Sequence, residues 1–254
     1  MLRLDVYPTD AEAFEASAAL AAEHLRAAAA GAGRATVALA GGRTGRGVMV
    51  ALAARGDLPW ERIEWYWGDE RCVAADDPRS NVRVARDSLL APRAVAADRI
   101  HPPPLEPGDE ARRAEAYAAT LAARLDHGAA PVFDLVFLGV GTNGHVASLM
   151  PDCDALRATA PVAPVPLAQV SEDPRVPRIT VTPPVLRAAR HVIVTVTGES
   201  KARPLAAALR DPVDVARVPA ALVRPGERVA WVVDRAAAGE LLRQARPASS
   251  GEAS

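Results

Sequence analysis

"VFDLVFLGVGTNGHVASLMP", residues 132–151, decides what kind of sheet this chain builds. It opens on a nearly continuous apolar run, as strands buried on both faces do. Three glycines and His145 follow at once. A strand that ends in glycines, with reactive residues just beyond, marks an open parallel sheet. In such sheets ligands bind outside the carboxyl ends of the strands.

The same pattern recurs along the chain. Strand-length runs are "RATVALAGG" (34–42), "RIEWYWGDE" (62–70), "RITVT" (178–182), "HVIVTVTG" (191–198) and "RVAWVVD" (228–234). Helical patterns lie between them. Residues 9–31 start at a cap-like Thr9/Asp10 and stop at glycine, and 108–128 are similar. "ESKARPLAAALR" and "RAAAGELLRQAR" complete the set. The alternation predicts an α/β fold: a doubly wound, mostly parallel sheet with helices on both faces. Residues 1–246 are expected to form one domain, and the tail 247–254 to be disordered. Proline-rich "HPPPLEPGD" and "PVAPVPL" read as surface connections.

Composition narrows the function classes. The 254 residues are half apolar with a net charge of −1, as in an ordinary globular protein. Basic residues are scattered and matched by acids, which argues against nucleic acid as a partner. Aromatics make up 4% of the chain, too few for base-stacking platforms. The amino terminus lacks a signal-length apolar run, and no stretch reaches a membrane span. Cys72 and Cys153 are therefore expected to be reduced thiols in a cytoplasmic protein. Of 30 lysines and arginines only Lys201 is lysine. Its survival in so arginine-biased a chain singles it out.

Gly139, Gly141 and Gly144 spell G-x-G-x-x-G. A dinucleotide fingerprint belongs in the first strand–helix turn with an acid about 20 residues on. Here it sits mid-chain, and "APVAPVPLAQV" offers no acid. "ALAGGRTGRGV" (38–48) is another glycine turn between a strand and a helix. Its free helix-start amides would favour an anion, and Arg43 and Thr44 could add donors. A ligand-free tight turn would use the same glycines. "WGDERCVAADDPRSN" (67–81) reads either as a solvated loop or as a phosphate-binding arginine with an orienting carboxylate. Ser80-Asn81 reads as a cap for the helix after it. Of five histidines, only His145 lies in a glycine turn at the ligand-binding edge, opening a helix. No metal-ligand spacing and no G-x-S-x-G elbow accompany it. Water activation is the simplest use of such an imidazole.

"LAGGRT", "WYWGDERCV…SN", "FDLVFLGVGTNGHVASLMP", "RITVT" and "GESKARPL", in this order, resemble the 6-phosphogluconolactonase family over nearly the whole chain. The resemblance implies the doubly wound fold shared with glucosamine-6-phosphate deaminases. It also implies hydrolysis of 6-phosphoglucono-1,5-lactone, a sugar-phosphate lactone, with no metal or organic cofactor. His145 matches the general base, and Asp69 a site carboxylate orienting the base or the sugar hydroxyls. Arg71, Lys201, Thr44 and Arg178 match phosphate or anion ligands. Glycine turns at Gly41–Gly42 or 141–144, including Asn143 and Gly144, would meet the substrate and its oxyanion. Two positions depart from the family pattern. Gly-Gly-Arg-Thr-Gly stands where Gly-Gly-Ser-Thr-Pro is usual, and Asn143 where an acid commonly precedes Gly-His. These departures keep two alternatives open: a diverged sugar-phosphate enzyme on the same scaffold, and a non-catalytic sugar-phosphate-binding protein.

Overall fold

The computed structural model describes residues 4–105, 109–127 and 130–244. The expected tail and residues 106–108 of "HPPPLEPGD" lie outside them. The amino-terminal part runs β1 (Leu4–Tyr7), α1 (Asp10–Ala32), β2 (Ala35–Leu39), α2 (Gly42–Ala53), β3 (Ile63–Trp67), β4 (Asp69–Arg71) and α3 (Asn81–Ala85). Then come α4 (Glu110–Arg124), β5 (Asp126–His127), β6 (Pro131–Val132), β7 (Leu135–Leu138), β8 (Val162–Val165) and β9 (Arg178–Val181). The chain continues with α5 (Pro183–Ala188), β10 (His191–Val196), α6 (Ala202–Leu209), β11 (Val229–Asp234) and α7 (Gly239–Gln244).

Six strands form a parallel sheet in the order β1-β11-β10-β7-β2-β3. Successive residues of β7 point to opposite faces. Val136 and Leu138 join a core with Tyr117 and Leu121 of α4, Val185 of α5 and Leu205 of α6. Leu135 and Phe137 join a second core with Ala18 and Leu25 of α1 and Val48 and Leu52 of α2. Both faces are covered, as the unbroken apolar strands require. Helix α1 starts where expected: the Thr9 hydroxyl accepts from the Glu12 amide, and the Glu12 carboxylate accepts from the Thr9 amide. It stops at Gly33, two residues beyond the expected glycine, in a left-handed cap with φ 74°. No helix among the described residues is long and apolar enough to cross a membrane.

The chain steps from β2 outward to β3, whereas β7, β10 and β11 proceed the other way. The crevice between β2 and β7 is therefore the switch point of the sheet.

Four local expectations are corrected. "RITVT" does not join the parallel sheet. It forms β9, the centre of a separate antiparallel sheet ordered β4-β9-β8. Its neighbour β8 comes from "PVAPVPL", read above as a connection. As an edge strand β8 tolerates Pro164, which lacks the amide a central strand must donate. "GDER" is not a solvated loop either: it supplies β4, with Asp69 and Glu70 buried. Finally, no helix follows β7. Residues 142–149 form turns, with Gly144 and Ala147 at positive φ, a conformation that breaks helical continuity. His145 thus sits in a turn rather than at a helix start.

Candidate active site

At the switch point a cavity of about 320 Å³ opens at the carboxyl ends of β2, β7 and β10. Gly41, Gly42, Arg43, Thr44, Asp69, Arg71, His145, Arg178 and Lys201 all line it. Sequence-distant stretches thus converge there, each following its own strand. Asn143 and Gly144 lie behind His145, outside the cavity wall.

The first wall is the start of α2. Gly41 is its N-cap and no side chain caps it, so the first-turn amides remain for a ligand or solvent. The Thr44 hydroxyl lies 3.2 Å from that of Thr197. Arg43 is exposed at the rim, its Nη2 3.5 Å from the Thr197 carbonyl. Lys201, beyond the end of β10, is largely covered. Burial pulls its ammonium below the usual lysine range, Arg43 adds to that, and Glu172 opposes it.

The second wall is built from β4 and β9. Asp69 Oδ2 accepts from the Ser148 hydroxyl at 2.6 Å, and Asn81 Nδ2 lies 3.3 Å from Oδ1. Arg71 donates through Nη1 to the Arg79 carbonyl at 2.6 Å. Arg178 is 2% exposed, and its Nη2 donates to the Glu172 and Pro174 carbonyls, both at 3.0 Å. Burial lowers its guanidinium from the usual arginine value. Part of Arg178 therefore holds the 172–174 loop rather than facing an anion. Burial pushes the neighbouring Cys72 thiol up to about 11, so it is protonated at neutral pH and no nucleophile.

The third wall carries His145. Its backbone N–H donates to Asn143 Oδ1 at 3.1 Å, and the same oxygen lies 2.7 Å from Nδ1. A second oxygen, Glu172 Oε2, lies 3.1 Å from Nδ1. Two acceptors on Nδ1 place the ring proton there and leave Nε2 as the basic nitrogen. Among the described residues Nε2 has no protein partner. The carboxylate on the imidazole is thus Glu172. Asp69, expected to orient either the base or sugar hydroxyls, is engaged by Ser148 and Asn81 instead.

Glu172 escaped the sequence reading. Its only local signal was an acid pair, Glu172-Asp173, in the polar loop before "RIT", and nothing local ties that loop to His145. By itself, burial would raise its carboxyl. The bond and charge of His145, the Thr142 amide and Lys201 outweigh burial and hold it at about 2.

The turn amides at 141–145 are largely engaged within the protein. Gly141 donates to the His145 carbonyl, Thr142 to Glu172 and Gly144 to the Gly141 carbonyl. That leaves the start of α2 as the backbone donor set for negative charge. Among the described residues no group of three or more His, Cys, Asp or Glu is arranged to hold a metal ion.

The chain matches a family model described as glucosamine-6-phosphate isomerases/6-phosphogluconolactonase over residues 8–231. It is 38% identical over 248 residues to a 6-phosphogluconolactonase of Streptomyces coelicolor, covering 93% of each chain. It is also 38% identical over 213 residues to one of Synechocystis sp., covering 83% of this chain and 86% of that one. A solved 6-phosphogluconolactonase structure from Trypanosoma brucei superposes with a TM-score of 0.83 at 29% identity. That match covers 95% of this chain and 99% of the other. On sequence and fold together, the chain belongs to the glucosamine-6-phosphate isomerase/6-phosphogluconolactonase family.

Proposed function

We propose that the protein hydrolyses 6-phosphoglucono-1,5-lactone to 6-phosphogluconate, the lactone-opening step of the oxidative pentose phosphate pathway, in the cytoplasm. One observation carries the reading: a single cavity holds an imidazole with a basic Nε2 and, across from it, an uncapped helix start with Lys201. A substrate that is an anion at one end and an activated ester at the other fits that pairing.

In this reading the phosphate lies against the start of α2, among Arg43, Thr44, Arg71 and Lys201. Asp69, held by the Ser148 hydroxyl, faces the sugar hydroxyls. Water adds to the lactone carbonyl carbon while His145 Nε2 takes its proton. The tetrahedral intermediate collapses, the ring C–O bond breaks, and the departing oxygen takes the proton back. Proton transfer of this kind contributes roughly 100- to 10,000-fold.

The test generates the lactone in place with glucose-6-phosphate dehydrogenase. Its disappearance is followed with wild type, His145→Ala and no protein. Wild type well above background with His145→Ala near background supports the reading. Fast hydrolysis by both removes His145 as the base. Wild type at background removes the lactonase activity.

A further inference from the structure

We propose that Glu172 is the positioning carboxylate of this site: it supplies the negative charge that balances the His145 imidazolium, a charge the adjoining Asn143 amide does not carry. The proposal rests on His145 acting as the base.

Two oxygens meet Nδ1, and they are chemically different. Asn143 Oδ1, at 2.7 Å, fixes the ring orientation and the tautomer. An amide oxygen is neutral, however, and adds no unit charge when Nε2 gains a proton. Glu172 Oε2, at 3.1 Å, is charged. Among the described residues it is the one carboxylate paired with this ring.

The carboxylate is held from several directions. The Thr142 N–H lies 3.3 and 3.1 Å from its two oxygens. Arg178 binds the Glu172 carbonyl and so fixes the loop backbone. Gly141 keeps the space open. A Cβ there would fall 2.0 Å from His145 Nδ1 and 2.6 Å from Glu172 Oε2, so any side chain would part the pair. With its carboxyl held at about 2, Glu172 stays ionised wherever the imidazole titrates.

Glu172 also faces the other end of the cavity, with Oε1 3.9 Å from Lys201 Nζ. Removing its charge weakens the base but releases Lys201 toward a phosphate. Turnover and apparent affinity are thus expected to separate. The remaining charged groups on the wall, Arg43, Asp69, Arg71, Asp173, Arg178 and Lys201, are the same in every variant below.

The experiment measures blank-corrected lactone hydrolysis against pH for wild type, Glu172→Gln, Asn143→Asp and the double variant. In parallel, NMR follows the pH titration of the His145 ring in each protein. For Glu172→Gln the expected result is a kcat lower by about 10- to 100-fold, a KM unchanged or lower, and an acid limb moved to lower pH. Adding Asn143→Asp restores the charge on the same nitrogen, recovers most of the lost kcat and moves the limb back. The ring titration shifts in the same directions. A Glu172→Gln protein with wild-type kcat and pH profile overturns the proposal. So does a loss that Asn143→Asp leaves unrepaired with the limb in place, which marks a merely structural role. The ring titration needs no turnover. If wild type shows no lactonase activity, an unmoved titration in Glu172→Gln overturns the charge assignment, and a moved one sustains it while the lactonase reading fails.

Discussion

The side-chain amide of Asn81 fills the space beside Gly41: a Cβ added to Gly41 falls 1.8 Å from Asn81 Oδ1. Asn81 has no room to retreat. It is 1% exposed, and its Nδ2 donates to the Asp69 carbonyl at 2.9 Å. The first residue of α3, strand β4 and the cap of α2 are thereby wedged together. Gly41→Ala is expected to cost about 1–3 kcal/mol of stability as overpacking. Because Gly41 caps α2, phosphate affinity should fall as well. Urea unfolding and a titration with inorganic phosphate check both. An alanine variant with unchanged midpoint and affinity would show that the wedge yields freely.

Glu70 holds the other side of that wedge. Its Oε1 accepts from the amides of Arg71 (2.6 Å) and Asn81 (2.8 Å). Its Oε2 accepts from the Val82 amide (2.7 Å) and the Ser80 hydroxyl (3.0 Å). Burial pushes its carboxyl above the usual range, and these four bonds pull it back. Glutamine offers one acceptor oxygen, and its NH2 would face two donors. Glu70→Gln is expected to cost about 2–4 kcal/mol. The readout is a lower denaturant midpoint at unchanged slope. A loss under about 1 kcal/mol would mean that solvent or a shift of α3 satisfies the orphaned donors.

The contrast between Glu70 and Glu172 shows what was legible in the sequence. Four strands of the six-stranded sheet, β2, β3, β7 and β10, announce themselves locally, because each is largely apolar on both faces and runs into a glycine turn. Strand β11 is apolar but has no glycine after it, and the edge strand β1, partly exposed along its length, carries no such pattern. The residues after those strands, from Gly41 to Lys201, could be read as site residues for the same reason. The antiparallel sheet could not. Its strands β4, β8 and β9 are three or four residues long, one contains Pro164, and β4 pairs with β9 from over a hundred residues away. Glu172 comes to His145 on the loop between β8 and β9, so its role depended on pairings no local pattern reveals. Glu70 was visible as a charge after a strand, yet its burial follows from the same hidden sheet.

The acid limit of stability should carry the mark of Glu172. Its carboxyl lies at about 2 in the folded protein against an ordinary 4.5. The unfolded chain therefore takes up the proton first as pH falls. The stabilisation is complete above about 4.5 and is lost on descending toward about 2. Glu172→Gln has no such group. The stability difference between wild type and variant is expected to shrink across that window and, above it, to change again only where the imidazole itself titrates. Urea unfolding at stepped pH measures it, and a difference independent of pH in that window would contradict the pairing with His145.

Arg43 tests what the changed first turn does. It stands on α2 where the family pattern has a serine, and its Nη2 lies 2.8 Å from where a Cβ on Gly198 would be. Its guanidinium therefore rests across the end of β10, on the same cavity rim as Lys201. Two cations so placed repel each other, a small addition to the burial that chiefly lowers the Lys201 ammonium. A phosphate between them removes that repulsion and gains a bond to each. Arg43→Ser is thus expected to raise KM about tenfold, the worth of one charge-assisted hydrogen bond of roughly 1.5 kcal/mol. Its kcat should hardly change, because Arg43 is remote from His145 Nε2 in this scheme. KM should also depend less on salt than in wild type, since one screened attraction is gone. Lys201→Ala, losing the more covered cation, should raise KM further. A lower KM in Arg43→Ser would mean that the arginine obstructs the phosphate, and the cavity would then be shaped for a different anion.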